Sequence, residues 1–104
     1  MAQFDVYDNP NLKTRKTTPY LLDVQTDLLD NLATRVVVPL VASGAMATPG
    51  RHLNPAFSIG EENVIMSTAE IAGVSIKNIG KKVCSLKQYR NEIVAALDFL
   101  ITGI

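Results

Sequence analysis

Side chains that build cross-links and metal sites are scarce in this sequence. Its 104 residues include one cysteine and one histidine. A single cysteine, Cys84, cannot form a disulfide within the chain, and it excludes a zinc site made of several cysteines. A single histidine, His52, excludes a pair of histidines acting as general acid and general base. We therefore expect the protein to use no metal and no cofactor.

An excess of either charge is also lacking, as are long hydrophobic runs. Ten lysines and arginines balance ten aspartates and glutamates, so no overall field draws the chain to nucleic acid or to an anionic membrane. No run approaches the roughly 18 apolar residues of a membrane span, and the first residues lack the pattern of a secretory signal. We expect a cytoplasmic protein without membrane or specific nucleic-acid binding, folded as one domain over residues 1–104.

Recognisable catalytic signatures are missing too. The nucleophile pattern G-x-S-x-G, the dinucleotide pattern G-x-G-x-x-G and the phosphate loop do not occur. His52 stands beside Arg51 and would suit a ribonuclease as acid, base or phosphate clamp, whereas the competing interpretation is an exposed loop residue. The lack of a catalytic set favours a binding protein over an enzyme.

Alternating apolar residues predict a β-rich structure up to residue 80. Residues 56–68 fit two strands joined by a Gly-Glu-Glu-Asn turn, and residues 69–80 fit either a strand or one helical turn. Pro39 predicts a bulge or an edge position, because proline cannot donate a hydrogen bond to a neighbouring strand. The earlier strand patterns lie at residues 3–7, 20–30 and 31–41, and the loops between strands at residues 8–19 and 42–55.

The apolar period changes near the C-terminal end of the chain. Ser85 followed by Gln88 fits a capping box, and the spacing then predicts a helix of about 16 residues that Gly103 ends. The apolar residues at spacings of three and four are Leu86, Tyr89, Ile93, Ala96, Leu97 and Leu100. Strands followed by one helix define an antiparallel α+β domain.

Further apolar residues widen the face of this helix: Val94, Ala95, Phe99 and Ile101. A helix that is apolar nearly all round is buried on two sides or meets a partner. Cys84 precedes the helix, where the helix dipole would lower the pKa of a thiol; the competing interpretation is a small packed residue.

Several short stretches together resemble the CcdB family of toxins from bacterial toxin–antitoxin modules. They are "QFDVY", "YLLDVQTDLLD", "RVVVPLV", the "IGEE" turn and the ending "NEIVAALDFLITGI". Their order and spacing extend nearly from end to end. The resemblance implies a homodimer of small SH3-like antiparallel β-barrels or sheets, each with one long C-terminal helix, a fold shared with the MazF and Kid ribonucleases.

The resemblance also implies a function. Such a toxin is no enzyme: it binds the A subunit of DNA gyrase and traps the cleaved-DNA complex. A CcdA-like antitoxin neutralises it with a segment that is disordered when free. The alternative is a MazF-like or Kid-like endoribonuclease toxin on the same fold.

By the same resemblance, gyrase contacts fall on the helix end and on an aliphatic pair, namely Leu28, Leu29, Asp98, Ile101, Thr102, Gly103 and Ile104. Thr102 stands where the best-known family ending has a tryptophan, and Asp98 stands where it has an asparagine. Tryptophan is a frequent interface anchor, so we expect the contact energy to move to Phe99, Ile101 and Ile104. The alternative is a weaker or a different target.

A small basic cluster, Lys13, Arg15 and Lys16, lies in the first loop. Charges at this density usually form a solvated loop. They also suit an acidic, disordered partner. We therefore predict that the cluster contacts the antitoxin.

Overall fold

Seven strands form one antiparallel sheet, and a helix packs against it. The computed structural model describes residues 1–103, so Ile104 lies outside the described residues. The strands are β1 (Asp5–Asp8), β2 (Tyr20–Asp23), β3 (Thr34–Ala42), β4 (Ala56–Ile59), β5 (Glu62–Met66), β6 (Ala72–Ser75) and β7 (Lys82–Ser85), and the helix is α1 (Arg90–Thr102). This architecture confirms the predicted α+β class.

The sheet is curled into an open half-barrel. Its order is β4-β5-β3-β2-β1-β7, with β6 also paired to β3. Within residues 1–103 the outer strands β4 and β7 do not pair with each other, and a barrel closes only when its outer strands pair. The resemblance allowed a barrel or a sheet, and the structure is the open form.

Strand β3 is central, and it accommodates Pro39 at a gap between two partners. One edge of β3 pairs with β2, while the other pairs with β6 up to Val37 and with β5 from Leu40 onward. Pro39 lies between these two ladders, so its missing N–H breaks no ladder bond. Its carbonyl accepts a hydrogen bond from the Ser67 N–H at 2.9 Å. The predicted bulge or edge position was therefore wrong.

One face of the sheet and one stripe of α1 form the main apolar core. Val6, Leu22 and Val38 are aligned across three neighbouring strands, and none of them is exposed. From the helix, Ile93 and Ala96 complete this layer and are likewise fully buried. Burying a side chain of this kind contributes about 1.5–3 kcal/mol, so the stripe holds α1 in place.

The helix is shorter than the sequence predicted. A 3-10 turn, Lys87–Tyr89, precedes α1, so the predicted helix divides into two helical types. The Ser85 hydroxyl accepts from the Lys87 N–H at 3.2 Å, but the N-cap residues of the 3-10 turn and of α1 are Leu86 and Tyr89, so the predicted capping box of Ser85 and Gln88 was wrong. Gly103 ends α1 as predicted, with φ 74°. In residues 1–103 no helix is long and apolar enough to cross a membrane.

Other local predictions can be compared directly. Residues 56–68 form the predicted hairpin, in which Gly60 and Glu61 connect β4 to β5. Residues 69–80 combine both alternatives, because the 3-10 turn Thr68–Glu70 leads into strand β6.

Cys84 packs against the core, and this burial raises the pKa of its thiol. The packed interpretation of Cys84 is confirmed, and a lowered thiol pKa is not.

The first and last strands are neighbours in the sheet. Asp5 in β1 is paired with Ser85 in β7, and the Leu86 N–H donates to the Phe4 carbonyl at 2.8 Å. Just before β7, Gly80 lies so close to β1 that a Cβ there would be 2.6 Å from the Asp8 carbonyl oxygen. The segment before β7 can approach β1 this closely only because Gly80 has no side chain.

Two tyrosines hold their protons unusually tightly. The Tyr20 hydroxyl donates to Glu62 Oε1 at 2.9 Å and so links β2 to β5. Burial, followed by this hydrogen bond, raises the pKa of Tyr20 to about 12. Burial and the nearby Asp5 carboxylate raise the pKa of Tyr7 to about 12 as well.

We predict that stability falls as the pH rises from about 10 to about 12. In that range a tyrosine of the unfolded chain has lost its proton, while Tyr7 and Tyr20 of the folded chain still hold theirs, so rising pH favours unfolding. Urea unfolding at several alkaline pH values should show the decline, and the double variant Tyr7→Phe/Tyr20→Phe should reduce its slope. An equal slope in both proteins would contradict this assignment.

Candidate functional site

A short turn after β2 carries the most exposed large apolar side chain in the described chain. The 3-10 turn Asp27–Leu29 exposes 90% of Leu28 and 46% of Leu29. The hydroxyl of Thr26 accepts from the Leu28 N–H at 3.3 Å and begins the turn. A leucine held this far out of a fold is available to a partner.

Beneath the turn lies a buried ion pair between β2 and β3. Arg35 is 1% exposed and Asp23 is fully buried. Arg35 Nε and Nη2 donate to Asp23 Oδ2 at 2.9 and 2.6 Å. Arg35 Nη1 extends the pair outward to Asp30 Oδ1 at 3.1 Å, directly after the turn. The guanidinium therefore joins the sheet to the turn.

Gln25 makes a second connection between the sheet and the turn. Its side-chain Nε2 donates to the Leu29 carbonyl at 3.0 Å, and its Oε1 accepts from the Val36 N–H at 3.0 Å. Its backbone N–H donates to Asp23 Oδ1 at 3.0 Å. One amide side chain thus satisfies two backbone groups, one in the turn and one in β3.

The beginning of the chain supports the same turn from another side. The Gln3 N–H donates to Asp27 Oδ1 at 2.8 Å, and Gln3 Nε2 donates to the Val24 carbonyl at 3.1 Å. Phe4 has φ 72°, a left-handed conformation that costs a residue with a side chain about 1–3 kcal/mol. The Phe4 ring is buried in the core, and this burial offsets the strain while Gln3 reaches Asp27.

The buried ion pair is stable only while both of its charges are present. Burial raises the pKa of Asp23, while the hydrogen bonds from Arg35 and from the Gln25 N–H oppose that rise. Removing one partner of a buried pair leaves the other charge uncompensated, which costs about 3–5 kcal/mol. Asp23 and Arg35 therefore depend on each other.

The C-terminal end of α1 forms a second exposed region. Ile101 is 76% exposed, and Asp98 and Thr102 are also exposed. The Thr102 hydroxyl donates to the Asp98 carbonyl at 2.7 Å. The Gly103 N–H donates to the Phe99 carbonyl at 3.0 Å, and this bond closes the helix. The predicted contact residue Ile104 lies outside the described residues.

The two predicted contact regions are not linked directly. No hydrogen bond, ion pair or ring contact of residues 1–103 joins the Asp27–Leu29 turn to α1. The structure therefore brings Leu28 and Leu29 together on one element and Asp98, Ile101, Thr102 and Gly103 together on another.

His52 lies against the helix rather than in a catalytic cluster. Its ring centroid is 6.1 Å from that of Phe99, with the planes tilted by 54°. His52 and its neighbour Arg51 are exposed, and no hydrogen bond to His52 occurs among the described residues. No cluster of three or more metal-ligating side chains occurs in residues 1–103.

The basic cluster is presented by an organised loop. Asn9 Nδ2 donates to Thr14 Oγ1 at 3.0 Å and to the Thr18 carbonyl at 2.8 Å, and Asn9 Oδ1 accepts from the Asn11 N–H at 3.0 Å. The side chains outside these bonds are exposed: Leu12, Lys13, Arg15 and Lys16. Lys13, Arg15 and Lys16 form no ion pair within the described chain.

A groove runs along one side of this loop. It has a volume of about 660 Å³ and lies between residues 9–18 and the 3-10 turn Ile76–Asn78. Leu21, Pro39 and Val74 supply its apolar lining, and Lys77 and Glu70 are its charged lining residues.

Sequence reasoning missed the buried network that contains Asp23 and Gln25. The signal available was their spacing of two residues, which puts both side chains on the same side of a strand. A polar pair on a strand normally indicates a solvent-facing side. Only the structure reveals that Arg35 from β3 closes over them.

The described structure combines a half-barrel, a C-terminal helix and two regions with exposed apolar side chains. A family model described as CcdB protein matches residues 3–103. The chain therefore belongs to the CcdB family, the toxins of toxin–antitoxin modules. This confirms the resemblance that the sequence motifs indicated.

Proposed function

We propose that this toxin binds the A subunit of DNA gyrase through Leu28, Leu29 and the end of α1, and that it traps the cleaved-DNA complex. The observation that carries the proposal is the exposure of Leu28 and Ile101 at the places where the family resemblance expects target contacts. Exposed aliphatic residues on rigid supports can serve as interface anchors. Leu29, Asp98, Thr102, Gly103 and Ile104 are the other proposed contact residues.

Binding rather than catalysis is the proposed mode of action. Nothing among the described residues supplies His52 with a second acid–base group by hydrogen bonding, and its ring contacts Phe99. A MazF-like ribonuclease remains the competing function, because Arg51 is adjacent. A toxin that acts on gyrase works where gyrase works, so we place its action in the cytoplasm.

The proposed antitoxin contact lies on the organised loop of residues 9–18. Lys13, Arg15 and Lys16 are exposed there without acidic partners in the described chain, and the groove beside them opens toward Leu21 and Val74. An acidic segment of a CcdA-like antitoxin would match both the charge and the apolar lining.

We propose that the toxin is a homodimer. Ile93 and Ala96 are buried within the chain, but Phe99 and Ile101 on the same helix remain exposed, as does Val83 in the outer strand β7. A second copy packed on the β7 edge would cover Val83 and would leave Ile101 available to the target. In a two-fold dimer each anchor occurs twice, which suits a two-fold target.

The gyrase surface is tested by Leu28→Ala and Ile101→Ala. Each should weaken binding to the purified gyrase A subunit by about tenfold or more, as expected for an interface anchor. Each melting temperature should stay within about 3 °C of the parent, because little packing is lost at exposed positions. Surface plasmon resonance and thermal melts measure the two effects. Leu12→Ala is the matched control, since Leu12 is 81% exposed but lies on the other loop.

The same proteins distinguish the poison from a ribonuclease. The parent, incubated with gyrase, ATP and supercoiled DNA, should give gyrase-dependent DNA breaks that Leu28→Ala and Ile101→Ala reduce. RNA cleavage that disappears in His52→Ala, without gyrase-dependent breaks, would establish the ribonuclease instead. An inert adaptor would cause no growth arrest when expressed.

The antitoxin loop is tested by reversing its charges in Lys13→Glu/Arg15→Glu/Lys16→Glu. Association with a CcdA-like antitoxin should slow and lose salt dependence, because steering by opposite charges is removed. Stopped-flow kinetics at several salt concentrations measure both. Unchanged rates would remove the loop from the interface. A control with the same net charge change elsewhere is Lys81→Glu/Lys87→Glu/Arg90→Glu.

The dimer is tested by sedimentation equilibrium at micromolar concentration. The expected species has twice the 11.3 kDa mass of one chain. Val83→Lys, on the exposed part of strand β7, tests whether this edge contributes, since a charge there would oppose pairing with a second copy. A single 11.3 kDa species of the parent protein would contradict the proposal.

A further inference from the structure

We infer that Asp23, Gln25, Arg35 and Asp30 are positioning residues that hold the Leu28–Leu29 segment in its binding conformation. This inference rests on the proposed function, because it assigns a role within the same target surface. None of these four side chains needs to touch gyrase. Their role is to keep Leu28 in one place before the target arrives.

The turn has little stabilisation of its own beyond its local hydrogen bonds. It consists of three residues in a 3-10 conformation, which has poorer hydrogen-bond geometry than an α-helix and occurs only in short pieces. None of its residues is buried, so packing contributes little. Its conformation must be stabilised from outside.

Support from outside arrives at successive positions of the segment. Gln3 bonds to Asp27, Gln25 bonds to the Leu29 carbonyl, and Arg35 bonds to Asp30. Leu28 is the residue between these attachment points, and its side chain is left free. An anchor flanked on both sides by bonds to other parts of the fold is preorganised.

General stability gives a weaker explanation of the network. A buried ion pair replaced by apolar residues of similar volume often leaves a protein equally or more stable. Asp23 and Arg35 are buried, yet the outermost bond of Arg35 goes to Asp30, whose side chain is 58% exposed. A hydrogen bond from a buried arginine to the exposed residue directly after the turn is better explained by positioning of the turn than by stabilisation of the core.

The effect of positioning should be measurable as a change in binding affinity. Immobilising a flexible segment on binding costs free energy that a rigid segment has already spent. Loosening the turn should therefore weaken binding through Leu28, while the leucine itself remains present. The effect of the network should then disappear once Leu28 is truncated.

The experiment is a pair of double-mutant cycles with the purified gyrase A subunit as the probe. Gln25→Ala should weaken binding about tenfold and Asp30→Ala about threefold, the range expected when one or two side chains must be ordered on binding. In the Leu28→Ala background, either change should add no more than about twofold, since both act through Leu28. Asp30→Asn keeps an acceptor for Arg35 and should recover most of the affinity.

Controls separate positioning from folding. Glu61→Ala removes an exposed carboxylate in the β4–β5 turn and should leave binding unchanged. Thermal melts of every variant report stability. If Gln25→Ala lowers the folded fraction, the Asp30 series decides the question, because Asp30 is mostly exposed.

The outcomes distinguish this inference from the function on which it rests. Weaker binding in Leu28→Ala with additive or absent effects of Gln25→Ala and Asp30→Ala would overturn positioning alone. Full binding by Leu28→Ala would overturn both the proposed surface and the positioning role. Coupled effects with rescue by Asp30→Asn would support both.

Discussion

The buried ion pair between Asp23 and Arg35 is the constraint on which much of this structure depends. It joins β2 to β3 on the face opposite the main core, and it is fully shielded from water. A charge pair in that position requires close hydrogen-bond geometry on every side. That requirement explains the surrounding bonds: Gln25 donates its backbone N–H to Asp23, and Asp30 receives the remaining arm of Arg35. The same network of hydrogen bonds therefore satisfies the buried charges and fixes the turn.

The sheet and the turn divide the work of the toxin. Apolar burial of residues such as Leu22, Val38 and Ile93 supplies the free energy of folding, because its contribution grows with the area removed from water. Directional bonds supply geometry, because hydrogen bonds add little net stability but fix positions. Exposed apolar residues such as Leu28 and Ile101 then face solvent without weakening the fold. Affinity for a partner can in this way vary at the surface while the scaffold stays the same.

Much of the fold was predictable, and the exceptions have physical causes. Strand alternation and the hairpin at Gly60 are local patterns, so they appear in the sequence directly. The prediction for Pro39 was wrong because a central strand can contain a proline where one partner strand ends and the next begins. The positions of those strand ends depend on the whole sheet and are not visible locally in the sequence. The capping-box prediction failed because Ser85 belongs to strand β7, and the helical segment begins after it. For the candidate site, Leu28 and Leu29 were proposed from the family resemblance, and they stay a prediction. The network of Asp23, Gln25 and Arg35 could not be derived, since residues buried by a long-range contact resemble solvent-facing ones in sequence.

The pairing of β1 with β7 joins the two ends of the chain in one sheet. Asp5 pairs with Ser85, and Ile93 and Ala96 complete the core. Almost the entire polypeptide must therefore leave the ribosome before the native sheet and helix can assemble. Folding that depends on contacts distant along the chain is slow.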